Sequence, residues 1–272
     1  MDRIPALILS KNRAPQLRLL LESLQFNATG IFDPYVIFTT TTPEFEKGYQ
    51  LLISEKLGAT FIRESYLLDN FYNFLNNFRD GNFALFMDDC IFYRPLRVTP
   101  EEITNKLDDK TWSVNLRVGN NTTDGNEKLN PISEDETFLG YNFKDHSAFS
   151  SYGFCFSWDG IVYNSQHVLN FFNGDQFMNT SNQWAILPQK IENFSTNHRD
   201  QIPQDIVYCP RESHVICMNY NSTHPMANFD AAPIDELNYR YLAGQVIDFN
   251  SINFNDIKGT HEVRPFDLRQ IR

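Results

Sequence analysis

Short apolar runs and amphipathic stretches take turns along residues 4–92. Ile4 to Leu9 is an apolar run that closes in Ser10-Lys11-Asn12-Arg13, and Pro15 suits the first turn of a helix. Leu17, Leu20, Leu21 and Leu24 then recur at helical spacing. Tyr35 to Phe38 predicts a second strand, with Thr42 as the cap of a helix that has Pro43 at its first position and Phe45, Tyr49 and Leu52 on its buried face. Thr60 to Ile62 predicts a third strand. Asp69 is the expected cap of a helix striped by Phe71, Phe74, Leu75 and Phe78 and ended by Gly81. Phe83 to Met87 is unbroken apolar sequence, too short to span a membrane and expected to be a strand buried on both faces. This rhythm predicts an α/β fold with a mostly parallel central sheet flanked by helices.

After Pro95 the rhythm changes. Thr99-Pro100-Glu101-Glu102 reads as a capping box, and Thr111 to Val118 alternates like a half-buried strand. Gly119 to Glu136 is polar and reads as a mobile loop over or beside a site. Phe154 to Gly160 reads as a strand that ends in a turn carrying Asp159. Val168 to Phe172 looks helical, Ile206 to Asn219 holds strand-like runs, and Pro233 to Ala243 predicts a helix stopped by Gly244. No repeat or linker interrupts the chain. Residues 1–272 are expected to form one domain with two functional halves, 1–97 and 98–272.

Composition narrows the class. At 42% hydrophobic and 14% aromatic the chain is not disordered, and no apolar run approaches the length of a transmembrane helix. Without a signal-peptide pattern behind Met1, the expectation is a soluble cytoplasmic protein. The four cysteines, at 90, 155, 209 and 217, show no zinc spacing and read as reduced core thiols. A net charge of −11 argues against nucleic acid or an anionic membrane as partner. An anionic substrate needs a local cation.

Two places offer one. Ser10-Lys11-Asn12-Arg13 sits between a strand's end and a helix start, where free backbone donors favour an anion. Asp88 and Asp89 follow the Phe83 to Met87 strand at the sheet edge where α/β proteins bind ligands, and paired carboxylates there suit a hard divalent cation. A solvated turn would account for either stretch equally well. Asp159 is a candidate general base, although an Asp-Gly turn explains it too, and His261-Glu262 offers a further ligand. Trp158, Trp184 and Tyr152 could stack on a sugar or be core. There is no GxGxxG and no P-loop signature.

The order of these pieces resembles a known family. Leu7 to Leu17 with Leu21-Glu22-Ser23-Leu24 is similar to the "NRP-x-L…L-x-S-L" opening of family-2-like, nucleotide-sugar-dependent glycosyltransferases of the GT-A fold. Phe86-Met87-Asp88-Asp89-Cys90-Ile91-Phe92 resembles the group's DxD-like strand end, "L-V-D-D-I-I-F", and Gly153 to Gly160 resembles "G-Y-P-F-S-V-D-G". Asn219, Asp235 to Asn238 with Leu242 and Gly244, and Thr260-His261-Glu262 are similar to its C-terminal blocks.

The resemblance implies transfer of a sugar from a nucleotide-diphosphate sugar donor to a glycan or other hydroxyl acceptor, with inversion. It implies that residues 1–97 are the nucleotide-sugar-binding half and 98–272 the acceptor-binding half and tail, and that Ser10, Lys11, Asn12, Arg13 and Asp88 hold the donor. It further implies that Asp88, Asp89 and His261 hold Mn2+ or Mg2+, and that a carboxylate, with Asp159 the candidate, acts as base. The chain departs from the pattern at Cys90, where a third acid might stand, at Ser151, and at Ala185 in Asn182-Gln183-Trp184-Ala185, where a glutamate is expected. These departures leave open a non-catalytic nucleotide- or glycan-binding relative. A nucleotidyltransferase is the other rival, without the Gly-rich loop it would want.

Overall fold

Ile4–Lys11 forms the central strand β1, whose side chains alternate between two apolar layers, Ala6 and Ile8 on one and Leu7 and Leu9 on the other. It pairs in parallel with β2 (Phe32–Thr39) and β4 (Asn82–Met87), and β3 (Thr60–Arg63) extends β2 in the same sense. The same alternation explains the unbroken apolar sequence of β4, because Ala84 and Phe86 feed one layer while Phe83 and Leu85 feed the other. The chain is seen in a computed structural model that describes residues 2–173, 188–221 and 232–271.

Helices α1 (Ala14–Asn27) and α2 (Pro43–Ser54) cover the Ala6/Ile8 face through Leu17, Leu20, Leu21, Leu24, Tyr49 and Leu52. Helix α3 (Leu67–Asn77) covers the opposite face. Beyond β5 (Cys90–Phe92), α4 (Pro100–Thr104), β6 (Thr111–Asn115), β7 (Ser133–Glu134), β8 (Phe138–Asn142) and β9 (Ile161–Asn164) lead to α5 (Ser165–Phe172) and α6 (Pro188–Asn197). Both of these helices pack on the α3 side, through residues such as Leu169, Phe172 and Ile191. Strands β10 (Ile206–Pro210) and β11 (Val215–Met218), helix α7 (Ile234–Leu242) and strands β12 (Gln245–Ile247), β13 (His261–Glu262) and β14 (Leu268–Gln270) complete the described elements.

The nine-stranded sheet has the order β3-β2-β1-β4-β9-β6-β10-β8-β7. Only β8 and β9 run against the other strands, so the expected mostly parallel sheet flanked by helices is present. A second sheet, β13-β11-β5, lies on the far side of α1. There Leu19 joins Ile91, Ile216 and Met218 in a third apolar layer. Caught between two sheets, α1 is buried nearly all round, and its buried Arg18 is paired with Glu22 at 2.9 Å and Glu55 at 2.8 Å.

Most sequence signals have their expected structure. Thr42 accepts from the Phe45 amide, Thr99 and Glu102 close a capping box, and Gly244 takes the left-handed conformation (φ +83°) after α7. All four cysteines are free and buried. Asp69 is not a cap: α3 begins earlier, at Leu67, because Leu67 and Leu68 are themselves buried. That helix ends at Asn77, before Gly81. Residues 154–157 form no strand; Phe156 and Trp158 are pulled into an aromatic layer, and Gly160 (φ +64°) turns the chain into β9 only afterwards. The strand expected over Thr111 to Val118 stops at Asn115, whose side chain accepts from the Arg117 amide. Asn182 to Ala185, with Trp184, lies outside the described residues. Among the described residues no helix is long and apolar enough to cross a membrane.

Candidate active site

Strand β4 leaves the main sheet at Met87 and re-forms as β5 in the small sheet, and Asp88 and Asp89 occupy the corner between them. The Asp88 amide donates to the Leu9 carbonyl, which holds the corner against the end of β1. Asp88 is 2% exposed. Its Oδ2 accepts from Ser10 Oγ at 2.9 Å and from the Lys11 amide at 3.2 Å, while its Oδ1 accepts from Arg13 Nη1 at 3.0 Å. Burial pushes the Asp88 carboxyl up, and the Arg13 charge and these three donors oppose it.

Arg13 Nη1 also reaches Asp89 Oδ2 at 3.1 Å, and its remaining nitrogens donate to the side chain and carbonyl of Asn221. Asn12 holds a left-handed backbone (φ +61°) and exchanges two hydrogen bonds with Thr41. Ser10 Oγ lies 2.5 Å from the buried Tyr49 hydroxyl. Of the five residues expected to hold a donor, Ser10, Asn12, Arg13 and Asp88 are therefore buried and bonded within the protein, and Lys11 is exposed. The turn works as a pin that holds two acids at a sheet edge.

Across from this corner stand Asp159, on the turn before β9, and His261, on β13. Asp159 Oδ2 accepts from Arg117 Nη1 and Ser157 Oγ, each at 3.2 Å, and lies 3.4 Å from His261 Nε2. Burial opposes the Asp159 charge, but His261 and Arg117 outweigh it and hold the carboxyl down at about 2. Burial likewise opposes a charged His261, and the Cys217 sulfur and Asp159 raise it above the ordinary imidazole range. Asp89 is lifted to about 6 by burial, with Arg13 pulling against Asp88 and Asp159.

Sequence reasoning missed Glu192. Its Oε1 on α6 accepts from Ser157 Oγ and from the Trp158 amide, each at 3.2 Å. Burial first, and then repulsion from Asp159, raises its carboxyl to about 7. A signal existed: in Ile191-Glu192-Asn193-Phe194 the acid adjoins a fully buried Ile191 on a short helix. Arg117 was missed too, because nothing in the sequence marks a buried arginine beyond a strand.

Asp159, Glu192, Arg117 and His261 line a cleft of about 440 Å³. Ser150, Ser151, Phe154 and the exposed Phe149 form further wall, and Thr123 and Asp124 bring the polar loop beside it, as its composition suggested. Ser151, at the position where the resembled family carries an acid, bonds Thr260 Oγ1 at 2.9 Å and so ties this wall to the β13 segment.

Asp89, Cys90, Asp159 and Cys217 each offer one ligand atom, all within 4.8 Å of one another, so this group could hold a metal ion. Asp88 is outside the group. A hard ion such as Mn2+ or Mg2+ finds two carboxylates there, with two sulfurs in place of further oxygens.

No protein-family model matches the chain, and no curated protein matches it. Among solved structures, the apo form of the glycosyltransferase GlyE from Streptococcus pneumoniae TIGR4 is similar at 11% sequence identity and a TM-score of 0.34. A second GlyE structure is similar at 12% identity and a TM-score of 0.35. Both alignments cover 92% of this chain, which spans 61% and 62% of the neighbours' own length.

Proposed function

We propose that the chain transfers a sugar from a nucleoside-diphosphate donor to a hydroxyl acceptor, with a divalent ion at Asp89 and Asp159 and with Glu192 as the base. The observation that carries this reading is a pair of carboxyls on one wall of a cleft that share the Ser157 hydroxyl: Asp159 is paired with Arg117 and His261 and stays ionised, whereas burial lifts Glu192 to about 7. A carboxylate that stays ionised suits ion holding, whereas one poised near neutrality suits proton abstraction. Asp159, the base expected from sequence, is by this measure too weak a base, and the role passes to Glu192.

In this reading Arg13 and Asp88 position Asp89 at the corner of the sheet, and Lys11 is the exposed cation beside the donor's phosphates. The acceptor hydroxyl enters the cleft and gives its proton to Glu192 as its oxygen bonds the anomeric carbon. The bond from that carbon to the phosphate oxygen breaks, and the nucleoside diphosphate leaves with the electron pair. When bound, a divalent ion supplies charge stabilisation for that leaving group. One displacement at the anomeric carbon inverts it. Glu192 also supplies the carboxylate whose absence at position 185 favoured a non-catalytic relative.

The test is calorimetric titration of a panel of nucleoside diphosphates with and without divalent ion, followed by turnover assays with the matching sugar nucleotides. Ion-dependent binding of one nucleotide that Asp89→Ala abolishes, with hydrolysis or transfer of its sugar, is the expected result. A folded protein that binds no nucleotide would sink the proposal.

A further inference from the structure

We infer that the ion seat beside Asp89 is built for a thiophilic divalent cation such as Zn2+, with Cys90 and Cys217 as ligands alongside Asp89 and Asp159. Strands β5 and β11 pair antiparallel, and their register sets Cys90 directly opposite Cys217. The two sulfurs lie 3.4 Å apart, and both carboxylates bring an oxygen within 4.8 Å of them. Zinc bonds of about 2.0–2.3 Å to oxygen and sulfur put tetrahedral ligands roughly 3.3–3.8 Å from one another, so this cluster needs little movement to close on an ion. His261 Nε2, 3.4 Å from Asp159, stands beside it as a nitrogen donor.

The donor set decides which ion. Mg2+ demands six oxygens in near-octahedral array, and two sulfurs waste a third of its shell; Zn2+ and Co2+ accept sulfur, oxygen and nitrogen in four-coordinate sites. A second observation concerns Arg117. Among the described residues its Nε is buried without a hydrogen-bond acceptor, while its Nη1 holds the proposed ligand Asp159 at 3.2 Å. On binding, each thiol gives its proton to solvent and each sulfur forms one bond to the ion, with no change of oxidation state. The two thiolates and two carboxylates then carry four negative charges, met chiefly by the ion and by Arg117, which lies 3.2 Å from Asp159. Without an ion, the thiols are two small apolar groups in a core layer, which is how the sequence alone presents them.

The inference concerns the ion alone, and its test uses no nucleotide. Chelator-treated protein is titrated with Co2+ while the absorption spectrum is followed, and Zn2+ and Mg2+ are then added in competition. A thiolate-to-cobalt charge-transfer band in the near ultraviolet with intense four-coordinate visible bands is expected. Zn2+ should displace Co2+ at a concentration at least about 100-fold below that at which Mg2+ does. Cys90→Ser and Cys217→Ser should each diminish the band and weaken Zn2+ binding at least about tenfold. A weak six-coordinate cobalt spectrum that neither substitution alters would overturn the inference, and wild-type protein alone suffices to see it. The band without sugar turnover would count against the transferase reading only. Turnover with Mg2+ and no band would count against the thiol ligands only.

Discussion

Asp159 and Glu192 reach for the same proton: the Ser157 hydroxyl lies 3.2 Å from Asp159 Oδ2 and 3.2 Å from Glu192 Oε1 and can donate to only one. Arg117 and His261 already serve Asp159, whereas among the described residues Glu192 has one other donor, the Trp158 amide. The better-served acid keeps its charge and the other keeps its proton until the pH approaches neutrality.

Glu192→Gln should therefore lower the turnover rate about 10²- to 10⁴-fold, the range typical of a removed general base, while leaving nucleotide binding within about twofold. In the wild type, kcat should rise with pH through about 7. Steady-state kinetics with parallel calorimetry check both; equal loss of binding and turnover would mean that Glu192 only shapes the cleft.

The same acid makes a prediction for stability. A carboxyl raised from 4.5 to about 7 binds its proton more tightly in the native than in the unfolded state. Native stability therefore falls as pH rises between those values, and below 4.5 the residue costs nothing. Glu192→Gln removes that cost, so the variant should gain about 1–3 kcal/mol over wild type at pH 8 and nothing at pH 4. Urea melts at the two pH values decide it.

Arg13→Met should destabilise by about 3–5 kcal/mol, because it leaves Asp88 and Asp89 buried without their shared cation. Adding Asp88→Asn should recover part of that loss. Denaturant midpoints of the single and double variants measure the coupling, and simple additivity would mean that Asn221, rather than the two acids, is what Arg13 supports.

Asn12→Gly should cost less than Asn12→Ala. Both lose the two hydrogen bonds to Thr41, but only alanine also strains the left-handed backbone at φ +61°. The difference should be about 1 kcal/mol in thermal or urea unfolding.

Removal of bound divalent ion by a chelator should abolish turnover and lower the unfolding temperature. At a hundredfold excess of ion over its Kd, the lost stabilisation is about 2.7 kcal/mol. Thermal scans with and without chelator test this, and an Asp89→Asn control should show a smaller chelator effect.

The parallel half of the sheet was legible because burial on both faces leaves unbroken apolar runs, and Pro15, Thr42 and Pro43 mark where its helices begin. The acids at strand ends were legible for the same reason: Asp88 and Asp89 interrupt a run that has no local reason to stop. Their partners were not. Arg13 meets Asn221 across 208 positions, and Glu192 meets Ser157 across 35, and no local pattern records such pairings. Arg13 looked like an exposed cation awaiting phosphate, since sequence cannot say that two carboxylates claim it first. The aromatic stretch 154–158 misled because residues buried beside a sheet carry the same composition as residues within one.

The corner at Asp88-Asp89 also bears on how the protein is made. One acid is fixed by β1 and the turn after it, but the other looks across to a wall that includes β13, whose His261 pairs in register with Cys217. A nascent chain that has completed the parallel half thus presents both carboxylates with no opposite wall. Such distant pairings close slowly. Competence to hold an ion should consequently appear as a single late step in refolding, well after the helical signal has recovered.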